Sequence, residues 1–339
     1  MVEKLYNIDP DLLTLECAEG TILVSNHLQG RIFVSFGREL AHRFLDELAA
    51  NPDPVEFNNL GGNSLWPAPE GGDFAFNYPP GGGWRVQAGI NSVKTAAVEA
   101  DSRKIVVSKK ISLENRKGNT IDLEFRRTVT PLEEHELPGS DYQVARTGYH
   151  TVDELIPLGK YSTEDVLISA WSLEQFPGAS GITAFGRCLK PAKGCINDDF
   201  YGDPSDRIAY RGDLFRFELG GEKRLQVGIK AANQPALIGA MDWKRGFLTV
   251  RTTPLRKDGK YINIADNDQA SGPYGAADMF SIFNGADELN FHELETIAPM
   301  ESDSDGNLLP SRLESTTFIC KGNEDDLREC LAGFFGVLL

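Results

Sequence analysis

Short segments in which apolar and polar side chains alternate dominate this chain. Residues 21–24, 31–36, 104–108, 120–126, 166–173, 213–218, 246–251 and 289–295 carry the pattern. A period of two is that of a β-strand with one buried face. Gly, Asn, Asp and Pro interrupt these segments at short intervals, as in a sandwich or barrel. Helical spacing is confined to two places. Residues 38–50 set Leu40, Phe44, Leu45 and Leu48 on one face, and residues 325–335 do the same with Leu327, Leu331 and Phe334. Strand–helix alternation is absent, which argues against a doubly wound α/β fold. There is no internal repeat, low-complexity tract or clear linker. The expectation is one continuous all-β domain over residues 1–339 with a few short peripheral helices.

The stretch Leu60-Gly61-Gly62-Asn63-Ser64-Leu65-Trp66-Pro67-Ala68-Pro69-Glu70-Gly71-Gly72 breaks the alternation. Its Gly and Pro density suits neither a helix nor an ordinary central strand, so it predicts a shaped loop. An aromatic plate beside a carboxylate suits a polyhydroxylated ligand. The ring stacks on C–H faces while the carboxylate accepts hydroxyl protons. The alternative is a structural turn with Trp66 packed inward.

Composition narrows the partners. The 339 residues are 41% hydrophobic and 25% charged, with a net charge of −16. That charge disfavours nucleic acid and anionic membrane, and no apolar run has the length of a spanning helix. Met1 to Asn7 shows no basic segment followed by an apolar core, so no secretory signal is visible. Cys17, Cys188, Cys195, Cys320 and Cys330 are odd in number and widely spread. They read as reduced thiols of a cytoplasmic protein, and the spacing of Cys188 and Cys195 does not suit zinc.

Glu293 and Glu295 lie two apart in a predicted strand and therefore share a face with Phe291 and Ile297. Inside a cavity such a pair raises its own pKa values and supplies a general base; on an open face it is simply solvated. His27, His42, His135, His150 and His292 are scattered without HxH or HExxH spacing, and His42 falls in the predicted helix 38–50. Acidic loops at 197–206 and 303–307 read as Asp/Asn turns rather than calcium sites. Neither a nucleotide-binding glycine loop nor a Gly-x-Ser-x-Gly elbow occurs. No metal and no cofactor is expected.

Several segments taken in order resemble the galactose mutarotase-like superfamily, the aldose 1-epimerase β-supersandwich. The best match is to uncharacterised bacterial branches of it. Gly30-Arg31-Ile32 is similar to its early Gly-Arg-Val strand, and 58–72 to a Gly-Gly…Leu-Trp…Pro-Glu-Gly-Gly signature. Ala170-Trp171-Ser172-Leu173 resembles the central strand. Tyr261-Ile262-Asn263 and Phe283-Asn284-Gly285 resemble two later elements, and Phe291 to Pro299 the late Glu-containing strand. The resemblance implies a concave sugar-binding face and a carbohydrate ligand for a monomer or homodimer.

In aldose 1-epimerases a late-strand Glu takes the anomeric hydroxyl proton while a His protonates the ring oxygen. Leu294-Glu295-Thr296 matches the motif around that Glu, which makes Glu295 the expected base and Glu293 its alternative. Arg31, Trp66, Glu70, Trp171 and Lys230 are the expected sugar-binding residues. The chain departs from the family where epimerases carry Asn-His-x-Tyr-Phe-Asn: it reads Ser169-Ala170-Trp171-Ser172-Leu173, without His. His150, Lys230 and Tyr261 are candidates for the missing acid. Three functions follow: an aldose 1-epimerase-like enzyme, a sugar-binding module without catalysis, or a lyase or hydrolase using Glu70 and Glu295 as a carboxylate pair.

Overall fold

A computed structural model of the chain describes residues 1–53, 56–78, 80–200, 202–257, 259–265 and 277–339. Among these residues the alternating segments assemble into two ten-stranded sheets whose neighbouring strands are all antiparallel. The first sheet runs, in spatial order, Leu13–Cys17, Gly20–Ser25, Arg31–Phe36, Gly62–Ala68, Ser169–Pro177, Phe291–Ile297, Asp278–Asn284, Leu225–Lys230 and Ile196–Asn197, with Glu39–Leu40 added on Arg31–Phe36. The second runs Ile208–Arg211, Leu214–Glu218, Ile182–Cys188, Pro235–Asp242, Phe247–Thr252, Ser311–Lys321, Ala145–Pro157, Thr120–Pro131, Ile105–Glu114 and Ala96–Ala100. The all-β expectation agrees with this architecture. Among the described residues no helix is long and apolar enough to cross a membrane.

The sheets face each other across an apolar layer. Val24, Ile32, Ile282 and Leu294 of the first meet Val107, Val129, Ile238 and Ile319 of the second. Two helices cap outer faces. Val2–Ile8 sets Leu5 on Leu23, Phe33 and Phe44, and Glu324–Gly333 sets Leu327 and Leu331 on Met241, Leu248 and Val250. The latter helix starts where the sequence predicts. Asn323 caps it by accepting a hydrogen bond from the Asp326 amide, and three acidic residues fill its first turn.

Two expectations are corrected. Residues 38–50 are not one helix; only Asp46–Ala50 is helical. Glu39–Leu40 pairs with Arg31–Phe36, and the amides of Ala41 and Arg43 donate to Val34 O and Gln175 O. Tertiary partners claim those backbone groups, and helix propensity yields to them. His42 therefore sits outside any helix, fully buried at 2% exposure. The Gly/Pro-rich stretch is not wholly a loop either, because Gly62–Ala68 is a strand paired with Ser169–Pro177 along its length. On its other side Arg31–Phe36 pairs with it only at Ile32↔Asn63, so Pro67 faces no ladder that its missing amide would break.

A polar network crosses the apolar layer. Arg251 from the second sheet lies 2.8 Å from Glu174 of the first, and both are fully buried. Arg251 also donates to the Ser172 and Leu294 carbonyls. Glu174 accepts from Tyr149 OH at 2.5 Å and Thr317 Oγ1 at 2.9 Å, and lies 2.7 Å from His42 Nε2. Val34 N–H donates to His42 Nδ1, so the ring proton is on Nε2 and points at Glu174. Burial alone would raise the Glu174 pKa, but Arg251, then His42 and Tyr149, hold it at about 2. Farther along, Arg127 pairs with Asp153 and reaches Asn63 Oδ1, which also accepts from Ser172 Oγ.

Removing one partner of a buried ion pair strands the other charge, at a cost of roughly 3–5 kcal/mol. Arg251→Met is expected to lower stability by that order in chemical denaturation. The double change Arg251→Met/Glu174→Leu should recover part of the loss. A neutral single variant would show that the network contributes nothing to the fold.

Candidate functional site

Alternate side chains of three adjacent strands share the outer face of the first sheet, as period-two geometry requires. Ser64 and Trp66, then Trp171, Leu173 and Gln175, then Phe291, Glu293 and Glu295 line an open cleft there. Register sets Trp66 opposite Trp171, Leu173 opposite Glu295 and Gln175 opposite Glu293. Arg31, Gln226 and Phe283 join from flanking strands, and Phe57, Glu70, Trp84 and Arg224 from loops. The cleft, counted with the solvent space at its mouth, has a volume of about 720 Å³.

The glycine pair before Trp66 has a steric reason. Gly61 adopts φ +87°, and a Cβ there would stand 2.0 Å from Arg43 O. At Gly62, φ is +69° and a Cβ would stand 2.9 Å from Ile32 O. Only glycine permits this approach. It brings Gly61 O to 2.6 Å from Arg31 Nη1, which fixes that guanidinium in the floor. Burial, with Arg127 adding to it, lowers Arg31 to about 9, so it remains a cation at neutral pH.

The two carboxyls of the floor are buried, not solvated: Glu293 is 7% exposed and Glu295 0%. Trp171 Nε1 donates to Glu295 Oε2 at 3.0 Å. Gln226 Nε2 lies 3.4 Å from both of its oxygens. Burial, then the Glu293 charge, raises Glu295 well above the usual carboxylate range, against smaller opposing effects of Trp171 and Ser281. Gln175 Nε2 donates to Glu293 Oε1 at 2.6 Å. Burial raises Glu293 to about 7, held from rising further by Gln175 and by Arg43, Arg31 and Arg224. Burial and mutual repulsion raise both members, so near neutrality the pair holds at least one proton.

Trp66 lies in the cleft beside Trp171, with ring centroids 6.2 Å apart, yet it is only 5% exposed. It is both a cleft wall and a member of the neighbouring apolar cluster. Glu70 sits at the rim, where Oε1 accepts from Asn77 Nδ2 and Trp84 Nε1.

Lys230 is corrected: it ends the Leu225–Lys230 strand, Nζ 3.5 Å from Gly194 O, and does not line the cleft. His150 is also elsewhere, on the second sheet beside Thr316, and Tyr261 lines a separate small hollow with Thr253 and Ile297. Among the described residues no His, Lys or Tyr lines the cleft. Nor do three or more His, Cys, Asp or Glu gather there in a way that would hold a metal. The Asp303 carboxylate accepts from the amides of Asp305 and Asn307, closing its own turn. Tyr201, inside the other acidic loop, lies outside the described residues.

Sequence reasoning missed Gln175, Gln226 and Trp84. Continuing the alternation from Trp171 and Leu173 by one step would have found Gln175. Trp84 follows Gly81-Gly82-Gly83, a stretch with no period to read.

The model of a family described as a family of unknown function (DUF6786) matches residues 3–339. No protein of curated function matches the chain. Among solved structures, a galactose mutarotase related enzyme from Lactobacillus acidophilus covers 92% of this chain and 98% of its own, at 12% identity and a TM-score of 0.51. A galactose mutarotase-like protein from Lactobacillus casei covers 91% and 99%, at 10% identity and a TM-score of 0.51. At such identities the likeness is one of fold, and the fold is galactose mutarotase-like.

Carboxyls with raised pKa values keep protons that the unfolded chain releases. Between the unfolded value near 4.5 and about 7, each rise in pH therefore stabilises the unfolded state relative to the native one at Glu293, and at Glu295 the trend continues to higher pH. The melting temperature of the wild type should fall relative to that of Glu293→Gln/Glu295→Gln as pH rises from about 5 to about 8. Parallel curves for the two proteins would refute the raised values.

Proposed function

The chain belongs to the family of unknown function DUF6786, and we propose that it is a carbohydrate-active protein that interconverts the anomers of a sugar. The supporting observation is the floor of the cleft, where a carboxyl that retains its proton neighbours one that ionises near neutrality, beneath an aromatic wall. Opening a pyranose needs one group to take a proton from the anomeric hydroxyl and another to protonate the ring oxygen. This reading exchanges the roles expected from sequence, where Glu295 is the base and Glu293 its alternative. Glu293, when ionised, takes the hydroxyl proton, and Glu295 gives its proton to the ring oxygen.

The C1–O5 bond breaks as the C1 carbonyl forms. Rotation about C1–C2 presents the other carbonyl face. Closure then returns the ring-oxygen proton to Glu295 and the Glu293 proton to O1, so both carboxyls regain their starting states. In this scheme Glu295 takes the acid role that a His plays in epimerases, from the position that matches their Glu. Trp66 and Trp171 form the apolar wall beside the sugar, and Arg31 donates and limits the rise at Glu293.

A second reading has one observation in its favour: among the described residues the cleft contains no His. A sugar-binding module would keep the aromatic wall and catalyse nothing. The carboxylate-pair hydrolase has less support, because Glu70 is tied at the rim by Asn77 and Trp84.

Polarimetry and exchange NMR on a panel of free aldoses separate the two readings. An epimerase accelerates mutarotation, and Glu293→Gln and Glu295→Gln each reduce the rate by roughly 10²–10⁴-fold while preserving sugar binding. The wild-type rate should rise as pH passes about 7, where Glu293 ionises, and fall again once Glu295 loses its proton. No acceleration by the wild type with any aldose, together with quenching of tryptophan fluorescence by sugar, would leave the binding module.

A further inference from the structure

We propose that the cleft takes a chain of at least two pyranose units, with Trp84 and Glu70 forming an outer sugar subsite at the rim. The inference rests on the carbohydrate function above and narrows its ligand from a free monosaccharide to a reducing disaccharide or longer glycan.

A continuous path of four rings leads from the buried carboxyls to solvent. Trp171, bonded to Glu295, lies 6.2 Å from Trp66. Trp66 lies 5.3 Å from Phe57, and Phe57 lies 5.7 Å from Trp84. Each contact is edge-to-face, at 77° or 81° between planes. Each step is comparable to the width of a sugar ring. The inner two rings therefore serve one unit, and Phe57 and Trp84 extend the wall past it.

The gradient of exposure along this path sets the direction. Trp171 is 1% exposed, Trp66 5% and Trp84 41%. Trp84 stands at the edge of the core, against Phe57, which itself packs on the apolar cluster around Trp66. Trp84 is fixed there, because Nε1 donates to Glu70 Oε1 at 3.1 Å and its ring abuts Phe57. An exposed indole held in one orientation next to a carboxylate presents both a stacking face and a hydroxyl acceptor, with little ordering left to lose on binding. The unit to be opened must reach Glu293 and Glu295, so the reducing end enters and the next unit lies on Trp84.

Calorimetric titration of the full chain with glucose and galactose, and with maltose, cellobiose and lactose, tests this. At least one disaccharide should bind the wild type about tenfold tighter than either monosaccharide. Trp84→Ala should remove that advantage and leave monosaccharide affinity unchanged, while Trp84→Phe retains most of it. An unchanged melting temperature would show that the variants fold. Monosaccharides binding as tightly as every disaccharide, an advantage that persists in Trp84→Ala, or an equal loss for both sizes would each overturn the subsite and leave the carbohydrate function standing. If no sugar of either size binds, the carbohydrate function falls and the subsite with it.

Discussion

The contact between Arg251 and Glu174 is the constraint on which the cleft depends. It places a full charge pair between two sheets, in a layer built mainly of apolar side chains. Such a pair is tolerable only when its remaining hydrogen-bonding capacity is filled. Here Tyr149, His42 and Thr317 serve Glu174, and the carbonyls of Ser172 and Leu294 serve Arg251. Those carbonyls belong to the two central strands of the site. The network therefore sets the depth and register of the strands that present Trp171, Gln175, Glu293 and Glu295 on their opposite face.

Three buried glutamates in adjacent strands thus end in different states for a reason that can be named. Glu174 has an arginine against it and stays ionised down to about pH 2. Glu295, one strand over and facing the other way, is raised by burial and then by the Glu293 charge, and the indole of Trp171 opposes this only in part, so it keeps its proton. Glu293 lies between these extremes because the hydrogen bond from Gln175, and then Arg43, Arg31 and Arg224, offset part of the effect of burial. One face of the sheet uses a carboxylate to hold the fold together. The other keeps carboxyls in a form that weakens the native state as pH rises but makes proton transfer near neutrality possible.

Much of this was legible beforehand. The period-two pattern marks three strands of the site, Arg31–Phe36, Ser169–Pro177 and Phe291–Ile297, within a few residues, and it puts Glu293, Glu295 and Phe291 on one face because a strand leaves no other choice. The ordered landmarks from Gly30 to Pro299 point to the same fold as the Lactobacillus structures. Where the local pattern misleads, a long-range partner overrides it. Residues 38–50 carry a helical stripe, yet Arg43 and Ala41 give their amides to strands. Gly62–Ala68 looks like a loop, yet Trp66 pairs with Trp171.

The sequence by itself determined the fold class, the strand faces and the absence of a His from the central strand, because alternation and residue identity are local properties. Tertiary structure alone decided the rest. It moved Lys230, His150 and Tyr261 away from the cleft, brought Gln226 and Trp84 to it, and buried both glutamates of the pair. A pKa depends on what surrounds a carboxyl in three dimensions. That Glu174 is an anion while Glu295 is an acid cannot be read from two glutamates in two similar strands.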